Sequence, residues 1–138
     1  MLRLLAFTTA VLCAAALAAG AGAATRQCQA RSIGPGSLHR GGTKGAACLL
    51  AAFQQGCRSA EYLLSSFGVD TAATEDFRTE RRNGRCEVLV LTSFRVIPQQ
   101  PKVFPTRTCA RLRKVSSDVV ADRCTAGTPA AISLTSLR

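Results

Sequence analysis

Six of the seven cysteines, those that follow residue 23, constrain the fold of this chain more than any other feature. They are Cys28, Cys48, Cys57, Cys86, Cys109 and Cys124. An even set of cysteines in a short exported domain is typical of a disulfide framework. A zinc site is disfavoured because the chain has no C-x-x-C pair and His39 is its only histidine. A nucleophilic cysteine is disfavoured because it would leave an odd thiol unpaired. We therefore expect three disulfides and no metal.

The spacing of the cysteines does not by itself decide how they pair. Proximity along the predicted elements favours one pair across a hairpin, one from the N-terminal arm to the helix, and one from the helix end to a strand. These pairs are Cys109–Cys124, Cys28–Cys48 and Cys57–Cys86.

Residues 1–23 have the pattern of a secretory signal peptide. Arg3 supplies a positive start, and the apolar run at residues 4–17 is too short to cross a bilayer comfortably. Small residues then predict cleavage before Ala24, with cleavage before Gly22 and a retained anchor as alternatives. This pattern excludes Cys13 from the secreted domain and predicts an extracellular protein.

A single helix is predicted at residues 43–57. Thr43 suits its N-cap, and Gly56 lies where a left-handed residue ends a helix. Leu49, Ala52 and Phe53 recur at three- and four-residue spacing, which gives the helix one apolar face.

The pattern after the helix has the period of two that is typical of strands. Strands are predicted at residues 60–67, 73–82, 86–97 and 102–115, with a short last segment at 118–124. Asn83-Gly84 is a strong hairpin signal, because both residues tolerate positive φ. Residues 86–97 are apolar on both faces and are expected to be central.

The faces of the strand at residues 102–115 follow from the same alternation. Its even positions Phe104, Ala110 and Leu112 are expected to face the core. Its odd positions are expected to line the open face, and these are Arg107, Cys109, Arg111 and Arg113.

One helix followed by about four antiparallel strands predicts an α+β domain at residues 43–124. A flexible arm at 24–42 would precede it, and a loose C-terminal tail at 125–138 would follow. The order of arm, cysteine-bearing helix, long hairpin and Asn-Gly hairpin resembles the cystatin-like layout. The segments ACLLAAFQQGC and FGVDTAATEDF also resemble small exported bacterial proteins of no assigned activity. The resemblance implies one helix packed on a curved antiparallel sheet.

The functions of cystatin-like proteins are not carried over by this resemblance. The Q-x-V-x-G hairpin of cystatin inhibitors does not occur. The steroid-isomerase branch of the nuclear-transport-factor-2-like domains needs a buried carboxylate and oxyanion donors. Tyr62 is the only tyrosine, and Glu75 and Asp76 are adjacent, so that a strand would point them to opposite faces. We predict no catalytic residue and no cofactor.

The basic side chains are the one group of residues in the sequence that suggests a binding function. Without Arg3, 17 Lys and Arg stand against 8 Asp and Glu, a net charge of +9. The predicted polyanion-binding residues are Arg78, Arg81, Arg82, Arg85, Arg107, Arg111 and Arg113, with Lys114 beside them. The alternative is a solvated face whose arginines pair with Asp76, Glu80 and Glu87.

These observations predict a secreted, non-catalytic, disulfide-stabilised binding module. Its expected partner is an extracellular protein or an anionic cell-envelope polymer, and no membrane span is predicted. The alternative function is a ligand-pocket or enzyme-like domain of the nuclear-transport-factor-2-like type.

Overall fold

The computed structural model describes residues 24–35, 41–125 and 130–136. The predicted signal peptide at residues 1–23 and His39 lie outside the described residues. Strands account for 56% of the described residues, and helix accounts for 11%. None of the described segments contains a helix that is long and apolar enough to cross a membrane.

One helix and nine strands make up the described fold. The helix α1 is Lys44–Gln54, and the strands are β1 (Arg26–Gln27), β2 (Arg31–Ile33), β3 (Ala60–Phe67), β4 (Thr71–Arg82), β5 (Arg85–Val96), β6 (Lys102–Val103), β7 (Arg107–Val115), β8 (Asp118–Cys124) and β9 (Ala131–Ser133). Their order in the single sheet is β1-β3-β4-β5-β7-β8-β9, with β2 also beside β3 and β6 beside β5. β1 and β2 run parallel to β3, and the other pairs are antiparallel.

The predicted cystatin-like fold, with one helix on about four antiparallel strands, is therefore wrong. The structure has a mixed sheet of nine strands. Two of the added strands, β1 and β2, lie where a flexible arm was predicted, and β9 lies where a loose tail was predicted. Each of these strands has two or three residues, which is too short to show a period of two.

The central hairpin follows the sequence pattern closely. β3 has the predicted bounds, and β4 begins two residues earlier than predicted. Asn83 and Gly84 have φ values of 49° and 76°, which confirms the hairpin turn that joins β4 to β5. β5 pairs with β4 on one side and with β6 and β7 on the other, so its central position is also confirmed.

The prediction for residues 102–115 is wrong at several positions. Residues 104–106 separate β6 from β7, which fits the restriction that Pro105 places on strand pairing. Cys109 is fully buried and Ala110 is exposed, the reverse of the expected alternation.

The alternation of β7 slips between Cys109 and Leu112, which are both buried although they are three residues apart. Cys109 pairs with Cys124 and Arg111 pairs with Asp122, but the residues between them do not pair. One of these is Arg123, whose φ of 55° lies in the left-handed region. The register is the same on both sides of this gap, so no extra residue is inserted, and the change of face accompanies the left-handed backbone at Arg123.

Tyr62 on β3 lies at the centre of the core. Its side chain is fully buried, and its ring stacks on Phe77 of β4 with ring centroids 6.0 Å apart. Its hydroxyl donates a hydrogen bond of 2.9 Å to the backbone carbonyl of Leu134, just after β9. Because β3 and β9 lie near opposite ends of the strand order, this bond shows that the sheet curls back on itself. Ile132 and Leu134 are buried there. Residues 130–136 are therefore packed on the core and do not form the loose tail that was predicted.

The helix α1 packs on the concave face of this curled sheet, against β3, β4, β7 and β8. Leu49 is fully buried in this interface, and Phe53 is half-buried. Gly56 has a φ of 82°, which confirms the left-handed residue predicted after the helix. The predicted Thr43 cap is wrong in one respect, because its side chain makes no capping hydrogen bond.

Three disulfides join the elements in the predicted pairs. Their Cα atoms are 5.8 Å apart in Cys28–Cys48, 5.4 Å apart in Cys57–Cys86 and 3.8 Å apart in Cys109–Cys124. The first two tie the helix to the β1–β2 segment and to β5, and the third links β7 to β8. Three disulfides are consistent with an extracellular protein.

We predict that Gly45→Ala destabilises the protein although alanine is the better helix former. A Cβ at position 45 would lie 2.6 Å from the Tyr62 ring and would also strike the Gln29 carbonyl oxygen. The clash should lower the free energy of unfolding by roughly 2 kcal/mol or more, against a helix-propensity gain of about 1 kcal/mol.

The matched control is Gly42→Ala, because a Cβ there meets nothing within 4 Å. It should change the free energy of unfolding by less than about 0.5 kcal/mol. Guanidinium denaturation of the oxidised proteins measures both values. Equal stabilities of the two variants would show that α1 does not press on Tyr62.

Candidate functional site

The predicted basic residues are distributed over both faces of the sheet and are mostly paired with carboxylates. Arg78 lies on the outer face, where its Nη2 is 2.9 Å from Glu61 Oε1 and 2.5 Å from Asp76 Oδ2. Gln27 of β1 also donates to Glu61, at 2.9 Å. Arg78 is therefore the centre of a network that joins β1, β3 and β4.

Two residues near the Asn83-Gly84 turn have different partners. Arg82 forms an ion pair with Glu80 on its own strand, at 3.1 Å. Arg81 instead donates a hydrogen bond of 2.7 Å to the carbonyl of Gly56, just beyond the C-terminus of α1. A cation at this end of a helix also interacts favourably with the helix dipole. Arg81 consequently has a structural role that links β4 to α1.

Arg111 and Arg113 share one carboxylate. Their Nε atoms lie 3.7 Å and 2.5 Å from the two oxygens of Asp122 on the neighbouring strand β8. Asp122 is 13% exposed, whereas the arginine side chains are 50% and 49% exposed. The carboxylate thus lies beneath the two guanidinium groups that it holds.

Arg107 is wrongly predicted as an open-face residue. Its guanidinium faces the inside of the sheet, 3.6 Å from Glu75 Oε1, and both side chains are largely buried. It also donates a long hydrogen bond of 3.4 Å to the Thr92 hydroxyl. The register places Arg107 beside Val90, on the same face as Phe77. Arg107 is therefore not available to a polymer on the outer surface.

Burial raises the pKa of two neighbouring carboxyl groups, Glu75 and Asp76, which lie on opposite faces of β4. It raises the pKa of Glu75, and Arg107 offsets part of this effect. The second oxygen of Glu75, Oε2, is buried without a hydrogen-bond partner among the described residues. Burial also raises the pKa of Asp76, against the lowering effect of Arg78. The hydrogen bond from Gln27 lowers the pKa of Glu61.

Five exposed basic side chains lie toward one end of the sheet, and we call this group the basic end. It consists of Arg82, Arg85, Arg111, Arg113 and Lys114. β5 and β7 are antiparallel neighbours whose pairing stops at Val88 and Cys109. From there β7 continues in the direction of the turn that carries Arg82 and Arg85. The sheet therefore brings two separate basic segments of the sequence to the same end.

The sequence pattern did not reveal the Glu75–Arg107 pair. The two residues are far apart in the chain and meet only because β4, β5 and β7 lie side by side. The one available signal was the placement of Glu75 on the Phe77 side of β4, which follows from the period of two. The slip in alternation between Cys109 and Leu112 hid the corresponding signal for Arg107.

The described residues contain no group of three or more His, Cys, Asp or Glu side chains that could hold a metal ion. Comparisons with protein-family models, with curated proteins and with solved structures find no match. The basic end must therefore be interpreted from its own geometry.

We predict a pH dependence that belongs to Glu75. Its folded-state pKa is raised, so the folded protein binds a proton before the unfolded chain does as the pH falls. The charged form consequently weakens the fold at neutral pH, and this penalty disappears as the pH falls through the raised pKa.

Glu75→Gln removes this titration. As the pH falls from neutral to about 4, the free energy of unfolding of the wild type should therefore rise relative to that of the variant. Urea denaturation of both proteins across this range measures the difference. A difference that is constant with pH, or that falls, would contradict a desolvated Glu75.

Proposed function

We propose that this protein is an exported, non-catalytic module that binds anionic polymers of the cell envelope through its basic end. The observation that carries the proposal is the unequal exposure of the paired charges. Asp122 is 13% exposed, and its partners Arg111 and Arg113 are about half exposed. The charge that meets an approaching molecule at these pairs is therefore positive, whereas Glu80 beside Arg82 is 45% exposed.

Arginine chemistry fits this ligand class. A guanidinium group presents several N–H donors in a planar fork that matches phosphate, sulfate and carboxylate groups. Asp122 uses the Nε atoms of Arg111 and Arg113, which leaves their terminal nitrogens as donors for a ligand. The carboxylate also orients the two side chains, so less conformational freedom is lost when a polymer binds.

The composition of the basic end favours a sequence-independent contact. Residues 78–88 and 107–117, which carry the basic end, contain no aromatic side chain. Readers of single-stranded nucleic acid, by contrast, stack bases on aromatic rings. An association of this kind depends on released counterions and weakens steeply with salt. We therefore propose that the ligand is a polymer with repeated anionic groups, such as a charged polysaccharide or polyphosphate.

Heparin, a sulfated polymer, serves as the probe for this proposal. We expect the mature wild-type protein to bind immobilised heparin with an affinity that falls as salt rises. Arg82→Gln/Arg85→Gln should weaken binding and flatten the dependence of log affinity on log salt by roughly 1–2, because about two contacts are lost.

The matched control is Arg95→Gln/Lys102→Gln, which removes the same net charge near the opposite end of β5. It should change heparin affinity less than the first variant does. Equal losses in the two variants would show that net charge alone drives retention, and this would contradict a localised site. Unchanged binding of Arg82→Gln/Arg85→Gln would also overturn the proposal.

A further inference from the structure

Exposed apolar side chains collect at the end of β5 that is opposite to the basic end. We call this group the apolar end, and it consists of Val69, Phe94, Val96, Ile97, Val103 and Phe104. Val69 is 92% exposed, Val103 is 70% exposed and Ile97 is 51% exposed. Large apolar side chains that are clustered and exposed usually mark an interaction surface.

Backbone hydrogen bonds hold the three segments of the apolar end together. The Ile97 amide donates to the Asp70 carbonyl at 2.8 Å, which joins the β3–β4 turn to the end of β5. Ser93 pairs with Val103, and the Phe104 amide donates to the Thr92 carbonyl at 2.9 Å. The apolar side chains therefore project from a backbone that is tied to the sheet.

The two ends of the molecule are well separated. β5 runs twelve residues from Arg85 in the basic end to Val96 in the apolar end. At about 3.3 Å per residue, this strand spans roughly 35–40 Å. A surface that contacts the apolar end would leave the basic end free to meet a different ligand.

The charges beside the apolar end are mainly positive. Arg95 lies between Phe94 and Val96, and Lys102 precedes Val103. The Lys102 ammonium is 5.3 Å from the centre of the Phe104 ring. Among residues 66–72 and 92–106, Asp70 is the only acidic side chain. Apolar tips flanked by cations match the interface of an anionic lipid bilayer, where headgroups are negative and the region beneath them is apolar.

We propose that the apolar end inserts into the headgroup region of a membrane that contains anionic lipids. Val69, Ile97 and Val103 enter the apolar boundary, at a depth of about 5–10 Å. Arg95 and Lys102 remain at the level of the phosphates. The protein then lies on the membrane through one end and presents the basic end away from it.

Sedimentation with lipid vesicles tests this proposal. The probes are vesicles of phosphatidylcholine alone and vesicles that also contain phosphatidylglycerol. We expect wild-type protein to bind the phosphatidylglycerol vesicles more tightly. Val69→Ser/Ile97→Ser should weaken this binding by about tenfold or more, because two exposed apolar side chains are lost without a change of net charge.

Arg95→Gln/Lys102→Gln should weaken binding to the phosphatidylglycerol vesicles by roughly fivefold per residue. It should have little effect on the phosphatidylcholine vesicles. Val115→Ser is the matched control, because Val115 is also exposed but lies at the far end of β7. Circular dichroism establishes that the variants are folded.

Wild-type binding by Val69→Ser/Ile97→Ser would overturn the proposal, as would an equal loss in Val115→Ser. Analytical ultracentrifugation measures whether the protein forms a dimer instead. A concentration-dependent dimer that is abolished by Val69→Ser/Ile97→Ser would show that a second copy of the chain, rather than lipid, covers the apolar end.

Discussion

The curled sheet depends on the buried Tyr62 side chain. Its ring lies beneath Gly45 of the helix and against Phe77 of β4, and its hydroxyl binds the Leu134 carbonyl beyond β9. One side chain thus connects the helix, the central hairpin and the last strand. A phenol buried in this way must have a hydrogen-bond partner, because a buried polar group without one costs about 1–3 kcal/mol. Closure of the sheet onto Leu134 supplies that partner.

The disulfides act together with this packing. Cys28–Cys48 and Cys57–Cys86 attach the helix to segments on either side of it in the chain, and Cys109–Cys124 joins β7 to β8 next to the gap in their pairing at Arg123. Each constrains the unfolded chain by about 2–4 kcal/mol. The resulting scaffold places arginines at one end of β5 and apolar side chains at the other. Each of these ends carries one of the two proposed contact surfaces.

The sequence predicted the features whose causes are local. The Asn83-Gly84 turn and the bounds of β3 follow from backbone preference and alternation. The disulfide pairs agree with proximity along the predicted elements, although cysteine spacing alone leaves other pairings open. The full sheet and the burial of Arg107 could not be predicted, because they depend on distant pairing. β1, β2 and β9 carry too few residues for a recognisable pattern and form by pairing with strands that already exist. The left-handed Arg123 interrupts the β7–β8 pairing, and no glycine signals the position where the alternation of β7 slips.

Titration of Tyr62 tests the central role of this residue most directly. It is the only tyrosine, and the chain has no tryptophan, so phenolate absorbance in the near ultraviolet reports one site. Burial raises its pKa to about 12 from 10.0, which means that stability is lost as the pH rises above the unfolded value. We expect ionisation of the oxidised protein near pH 12, or together with the loss of circular dichroism on unfolding. Reversible ionisation near pH 10 with unchanged circular dichroism would contradict a buried, hydrogen-bonded Tyr62.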